Sequence, residues 1–108
     1  MGTDKKQLFS DQSNQVARFA KALSHPARVE ILKLLVERRS CICGDIVLEL
    51  PLSQSTVSQH LKELRLSGLI QGEVEGAKVC YCLNSEVLNL ANEIISDFIR
   101  IISTERNK

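Results

Sequence analysis

Residues 52–70, LSQSTVSQHLKELRLSGLI, limit the fold more than any other part of the chain. Ser53 is a good helix N-cap, Val57, Leu61 and Leu64 recur at i, i+4 and i+7, and Gly68 supplies a stop. One narrow apolar stripe therefore meets a core, and the segment reads as the second helix of a helix-turn-helix. At about 100° per residue, Ser55, Thr56, Gln59, Lys62 and Glu63 fall on the opposite side. Short polar side chains near a helix N-terminus can reach base edges and phosphates together, as a helix in a major groove must. A surface helix that meets only water would look the same, so this segment by itself leaves both readings open.

The rest of the chain supplies the elements such a helix needs. Residues 1–12 are polar and unpatterned, which predicts a loose tail. Residues 13–23 follow as a first helix, with Val16, Ala17, Phe19, Ala20 and Leu23 on its apolar face and Ser13 or Asn14 as cap. Ser24-His25-Pro26 breaks it, and Pro26 suits the first position of a second helix. Val29, Ile31, Leu32, Leu34, Leu35 and Val36 predict that this second helix is largely buried. A short strand around Cys41 to Cys43 and a short helix over 46–50, with Asp45 near its start and Pro51 at its end, complete the approach to Ser53.

After Gly68, residues 69–74 read as a strand, 75–78 as a turn and 79–83 as the returning strand of a hairpin wing. Lys78 at its tip is placed either for a phosphate contact or simply for water. The last helix, 86–103, is capped by Asn84 or Ser85 and is apolar on more than one face, so it needs a second surface, most simply a partner subunit. The expected domain is thus 13–103, with a tail at 104–108. The fold class is α+β and mostly helical, with about five helices and a small antiparallel wing.

Composition bounds the reading. A chain of 108 residues with 44% hydrophobic and 25% charged residues makes one modest core. No apolar run approaches the ~20 residues of a membrane span, and MGTDKKQLFS has no hydrophobic signal segment, so a cytoplasmic location is expected. The net charge is only +1, and Lys62, Arg65 and Lys78 are balanced locally by Glu63, Glu73 and Glu75. Random DNA should therefore bind weakly. A dimer spanning two half-sites about 34 to 36 Å apart can be selective without being basic.

Three segments taken together, HPARVEILKLL, SQSTVSQHLKELRLSGLI and GEVEGAKVCYCLN, resemble the ArsR/SmtB family of bacterial winged-helix repressors, over roughly residues 13 to 102. The resemblance implies a homodimer, joined through its terminal helices, that binds a double-stranded DNA operator and lets go when a metal, metalloid or other signal arrives. The DNA-contacting residues would be Ser53, Ser55, Thr56, Ser58, Gln59, His60 and Lys62 on the helix, with Lys78 on the wing. His25 beside Pro26 is more simply a cap than a ligand, and His60 lies at the border of the core stripe.

The four cysteines carry the most informative chemistry. Cys41/Cys43 and Cys80/Cys82 are two Cys-x-Cys pairs, and on a strand residues two apart share a face. If the short strand pairs with the returning strand, as in winged helices, the four sulfurs meet on one face and Ile42, Val79, Tyr81 and Leu83 point to the helices. Four thiolates suit a soft ion such as zinc, cadmium or arsenite. Cysteines are also common buried residues, and close thiols can oxidise reversibly, although a permanent disulfide is disfavoured in a reducing compartment.

The family's thiolate sensors run a Cys-x-Cys directly into the acid that starts the next helix, and some add a third cysteine two residues beyond. Here Gly44 precedes Asp45 and Val47 stands at the third position, so the pair is shifted by one and Cys80 and Cys82 would have to complete the site. The family's other zinc site, on the last helix, lacks its histidines, since 86–103 offers only Glu86, Glu93 and Asp97. No glycine-rich phosphate loop, paired carboxylate motif or nucleophile–base pair argues for an enzyme. The expectation is a DNA-binding repressor released by a thiolate-bound soft metal or metalloid. A redox-responsive or non-metal-responsive relative, or a winged-helix protein-interaction module, are the alternatives.

Overall fold

A computed structural model of the chain describes residues 5–38, 41–43, 50–76 and 78–105. A short 3-10 turn, Lys5–Leu8, leads into helices α1 (Asp11–Ala22) and α2 (Pro26–Arg38). Strand β1 (Ile42–Cys43), helix α3 (Gln54–Ser67), strands β2 (Ile70–Glu75) and β3 (Lys78–Leu83) and helix α4 (Ser85–Glu105) follow. The short helix expected over 46–50 lies outside the described residues. No described helix is long and apolar enough to cross a membrane.

Helix α1 starts two residues earlier than its apolar pattern predicts, because Ser10 is the cap. Its Oγ accepts from the Ser13 amide at 3.2 Å, and Asp11 adds a negative charge where the helix dipole favours one. Helix α2 begins at Pro26 as expected, and Ile31 and Leu35 are buried. Val29 and Val36, expected inside, are 38% and 60% exposed. Apolar type alone had counted them as core, but the neighbours of α2 cover the Ala27–Ile31–Leu35 side. Helix α4 is capped by Asn84, whose Oδ1 accepts from the Val87 amide at 3.2 Å, and it runs past the predicted end at Ser103.

The sheet has the order β1-β3-β2 and is antiparallel throughout. Strands β2 and β3 pair from Ile70 opposite Leu83 to Glu75 opposite Lys78, which makes the wing, and Gly76 turns it with φ +64°. Strand β1 pairs with the outer side of β3, with Ile42 opposite Tyr81 and Cys43 opposite Cys80. The predicted pairing of the two Cys-x-Cys segments is therefore present.

One core joins these layers. Phe19 of α1, Ile31 of α2 and Val57, Leu61 and Leu64 of α3 pack with Leu69, Ile70 and Ala91. Ile42 belongs to this core, and Tyr81 and Leu83 lean on it, as their strand face predicts. Val79 is not part of it and is exposed, close to the tip of the wing. The α3 stripe is thus buried as its spacing requires, which fixes what its other faces can present.

Candidate nucleic-acid interface and cysteine cluster

Helix α3 is built to project its first two turns. Ser53 Oγ accepts from the Thr56 amide at 3.3 Å and donates to Thr56 Oγ1 at 2.9 Å, so the first turn is closed by side chains. Gly68 ends the helix in the left-handed region, φ +89°, and its amide donates to the Arg65 carbonyl. Ser53, Ser55, Thr56, Ser58, Gln59 and Lys62 are all exposed, as is Lys78 on the wing. Seven of the eight residues singled out in the sequence as DNA contacts therefore face solvent from α3 and the wing.

His60 is the exception, since it is turned inward and is 7% exposed. Its Nδ1 accepts from Arg28 Nε at 3.1 Å, and its ring lies 4.4 Å from that of His25, centroid to centroid. Burial, reinforced by His25 and by the Arg28 cation, pushes its pKa below the ordinary histidine value. His25 itself caps α2, with Nδ1 accepting from the Ala27 amide at 3.0 Å. These two histidines hold helices together and are arranged as structural groups.

Two arginines that the sequence did not single out fasten α3 to the first two helices. Arg28 also donates through Nη1 to the Lys21 carbonyl at 2.7 Å, so one guanidinium joins the end of α1 to the middle of α3. Arg18 donates through Nε at 3.0 Å and also through Nη2 to the Ser67 carbonyl, at the last turn of α3, while its guanidinium lies over the Phe19 ring. Lys21 adds a 3.9 Å ion pair to Glu63. Neither arginine stands out from the other charged and polar residues of α1 and α2, and nothing local identifies partners 32 and 49 residues away.

The cysteines converge across β1 and β3. Cys41 and Cys82 are joined by a disulfide, with their Cα atoms 4.4 Å apart, the spacing of a directly opposed antiparallel pair without backbone hydrogen bonds. Cys80, buried at 2% exposure, is disulfide-bonded as well, and its register partner is Cys43. Among the described residues no three His, Cys, Asp or Glu side chains form a ready-made metal site. Sulfur ligands therefore become available in this structure only on reduction.

A capped helix with a polar outer face, seated on a helical core and followed at once by a two-stranded wing, defines a winged-helix DNA-binding regulator. The chain belongs to the arsR family of bacterial regulatory proteins, whose family model matches residues 25–71. It is 34% identical over 85 residues to the transcriptional repressor SmtB homolog of Synechocystis sp., covering 78% of this chain and 64% of that protein. It is 37% identical over 79 residues to the arsenical resistance operon repressor of Staphylococcus xylosus, covering 73% and 75% of the two chains. Its fold superposes on HlyU from Vibrio cholerae N16961 with a TM-score of 0.65 at 30% identity, over 86% of this chain and 97% of that one.

Proposed function

We propose that this chain is an operator-binding transcriptional repressor that works as a homodimer and releases DNA when a soft metal or metalloid ion engages its cysteines. The observation that carries the effector side is the disulfide-bonded contact of Cys41 with Cys82, which draws the two Cys-x-Cys segments to one place across β1 and β3. Once reduced, opposed cysteines at this spacing form a soft donor set, and the Cys43–Cys80 register pair lies two residues further along, beyond Ile42 and Tyr81. A bound ion would supply thiolate bonds across the two strands. The name of the arsenical resistance operon repressor supports an effector of this class.

The chain's own residues carry the rest. Ser53, Ser55, Thr56, Ser58 and Gln59 offer short donors and acceptors to base edges and phosphates, and Lys62 and Lys78 offer charge to the backbone. Cys43 in β1 and Cys41 just before it lie on the approach to α3, and β3 returns from the wing, so the cysteine cluster bridges the two DNA-facing parts. A change in β1–β3 geometry is thereby coupled to where the recognition helices of a dimer sit relative to successive grooves.

The test is a variant with Ser at Cys41, Cys43, Cys80 and Cys82. Operator retardation should persist and should no longer respond to cadmium, zinc or arsenite. A response that survives in this variant overturns the cysteine site. Absence of any DNA retardation by the reduced wild-type protein at low salt overturns the repressor reading in favour of a protein-interaction module.

A further inference from the structure

The antiparallel register puts Cys41 directly across from Cys82, one residue outside the Ile42–Tyr81 pair. The Cα separation of 4.4 Å in the bonded pair lies within the range a disulfide spans, so the bond and the β1–β3 pairing coexist in this structure. The two sulfurs differ in access, Cys41 being exposed and Cys82 half-buried. That asymmetry gives one sulfur that can meet a reagent and a second held in place behind it.

We propose that Cys41 and Cys82 are a reversible dithiol–disulfide pair that competes with the soft ion for the same sulfurs, so the protein answers its ion only when reduced. The inference rests on the ion reading given above. The oxidant is a small-molecule disulfide. The Cys41 thiolate attacks one of its sulfurs, forms a mixed disulfide and expels one small thiolate. The Cys82 thiolate then attacks Sγ of Cys41 and expels the second. Two protein thiols lose two electrons and two protons, and the reagent disulfide takes them up as two thiols.

A sulfur in that bond has no thiolate charge to give an ion. The bond also closes a loop with a sequence separation of 41, which contains all of α3 and β2. The oxidised protein should therefore unfold at a higher temperature than the reduced one, because the cross-link restricts the unfolded chain.

The sequence supplies a clean readout. Trypsin releases Cys41 and Cys43 together in peptide 40–62, and Cys80 and Cys82 together in peptide 79–100. Full-length protein is reduced or treated with oxidised glutathione, freed of reagent, and divided between cadmium titration in the ultraviolet and alkylation with mass mapping. The expected result is a thiolate-to-cadmium band for the reduced protein alone, linked peptides for the oxidised protein alone, and return of the band after dithiothreitol. The double variant Cys43→Ser with Cys80→Ser must still give linked peptides, since it keeps the opposed pair. Separate peptides after oxidation, or a band that survives in the linked protein, overturn the competition. A reduced protein without a band overturns the ion reading itself, and the competition with it.

Discussion

Arg28 Nε donates to His60 Nδ1 at 3.1 Å while Arg28 Nη1 donates to the Lys21 carbonyl at 2.7 Å, so one cation ties α3 to the end of α1. The bond uses the Nδ1 lone pair and requires that nitrogen to be unprotonated. Burial disfavours the imidazolium, and His25 and Arg28 beside it add to the effect. The unfolded chain takes up this proton near the ordinary value of 6.5, and the folded chain resists it. Stability is thus complete above that value and falls as pH drops toward the lowered folded pKa, by at most about 1.4 kcal/mol per pH unit. Thermal melts between about pH 7.5 and 5 should show this fall, and His60→Gln should flatten it; equal pH slopes in the two proteins would remove His60 as its source.

Arg18 is the second fastening. Its Nε and Nη2 both reach the Ser67 carbonyl, which belongs to the last turn of α3. Arg18→Ala leaves that half-buried carbonyl without its partner and should cost about 1.5–3 kcal/mol in urea unfolding. Arg18→Lys keeps the charge but loses the fork and should recover only part of the loss. Full recovery with Lys would mean that charge rather than geometry matters at this position.

Gly68 sits at the junction these bonds protect. Its φ of +89° is unfavourable for any residue with a Cβ, and an added Cβ would lie 3.1 Å from Arg18 Nη2 and 3.3 Å from Val87 Cγ1. Gly68→Ala should therefore destabilise by about 1–2 kcal/mol from backbone conformation alone, with crowding added. Gly76 also has positive φ, but a Cβ there meets nothing within 4 Å, and Asn tolerates that conformation. Gly76→Asn should be nearly silent in the same urea experiment.

These ties also mark the boundary of what the sequence made legible. Ser53, the 57–61–64 stripe and Gly68 define α3 because capping and periodicity are local, and the structure has that helix as read. Strand alternation puts each Cys-x-Cys pair on one face and the family resemblance brings the two strands together, but the register, with Cys43 opposite Cys80 and Cys41 bonded to Cys82, comes from the structure alone. Ser10, Ser13 and Asn14 are equally plausible caps by type, and in the structure it is Ser10 that closes the first turn of α1. Val29 and Val36 look like core by type, yet exposure depends on neighbours that no pattern within α2 encodes. His60 follows Gln59 in sequence but lies about 100° from it around the helix, at the border of the core stripe, and its partner Arg28 stands 32 residues earlier.

The proposed DNA-facing surface would separate charge from base reading. Lys62 and Lys78 are exposed and of one sign, so replacing either with Ala should weaken operator and random DNA alike and reduce the salt slope by about one. Gln59 can offer a donor and an acceptor to one base, so Gln59→Ala should cost about 1–3 kcal/mol on the operator and little on random DNA. Fluorescence anisotropy over a salt series measures both quantities. Equal losses on the two DNAs for Gln59→Ala would take it out of base recognition.

Helix α4 turns Val87, Ala91, Ile94 and Ile95 toward the rest of the protomer, yet Leu90, Ile99, Ile101 and Ile102 each remain about half exposed. Apolar area left in water forgoes about 25 cal/mol per Å², so several such side chains along one helix favour a cover. A second copy is the cover proposed here, because a winged-helix unit reading two half-sites needs its recognition helices fixed about one turn of DNA apart. Ile99, at 49% exposure, tests this without opening the core of the protomer. Ile99→Glu should yield a folded monomer in sedimentation equilibrium, with an unchanged far-ultraviolet circular dichroism spectrum and operator affinity reduced at least tenfold, about 1.4 kcal/mol or more. A dimer that persists in Ile99→Glu, and also in Ile102→Glu, would show that α4 is covered in some other way.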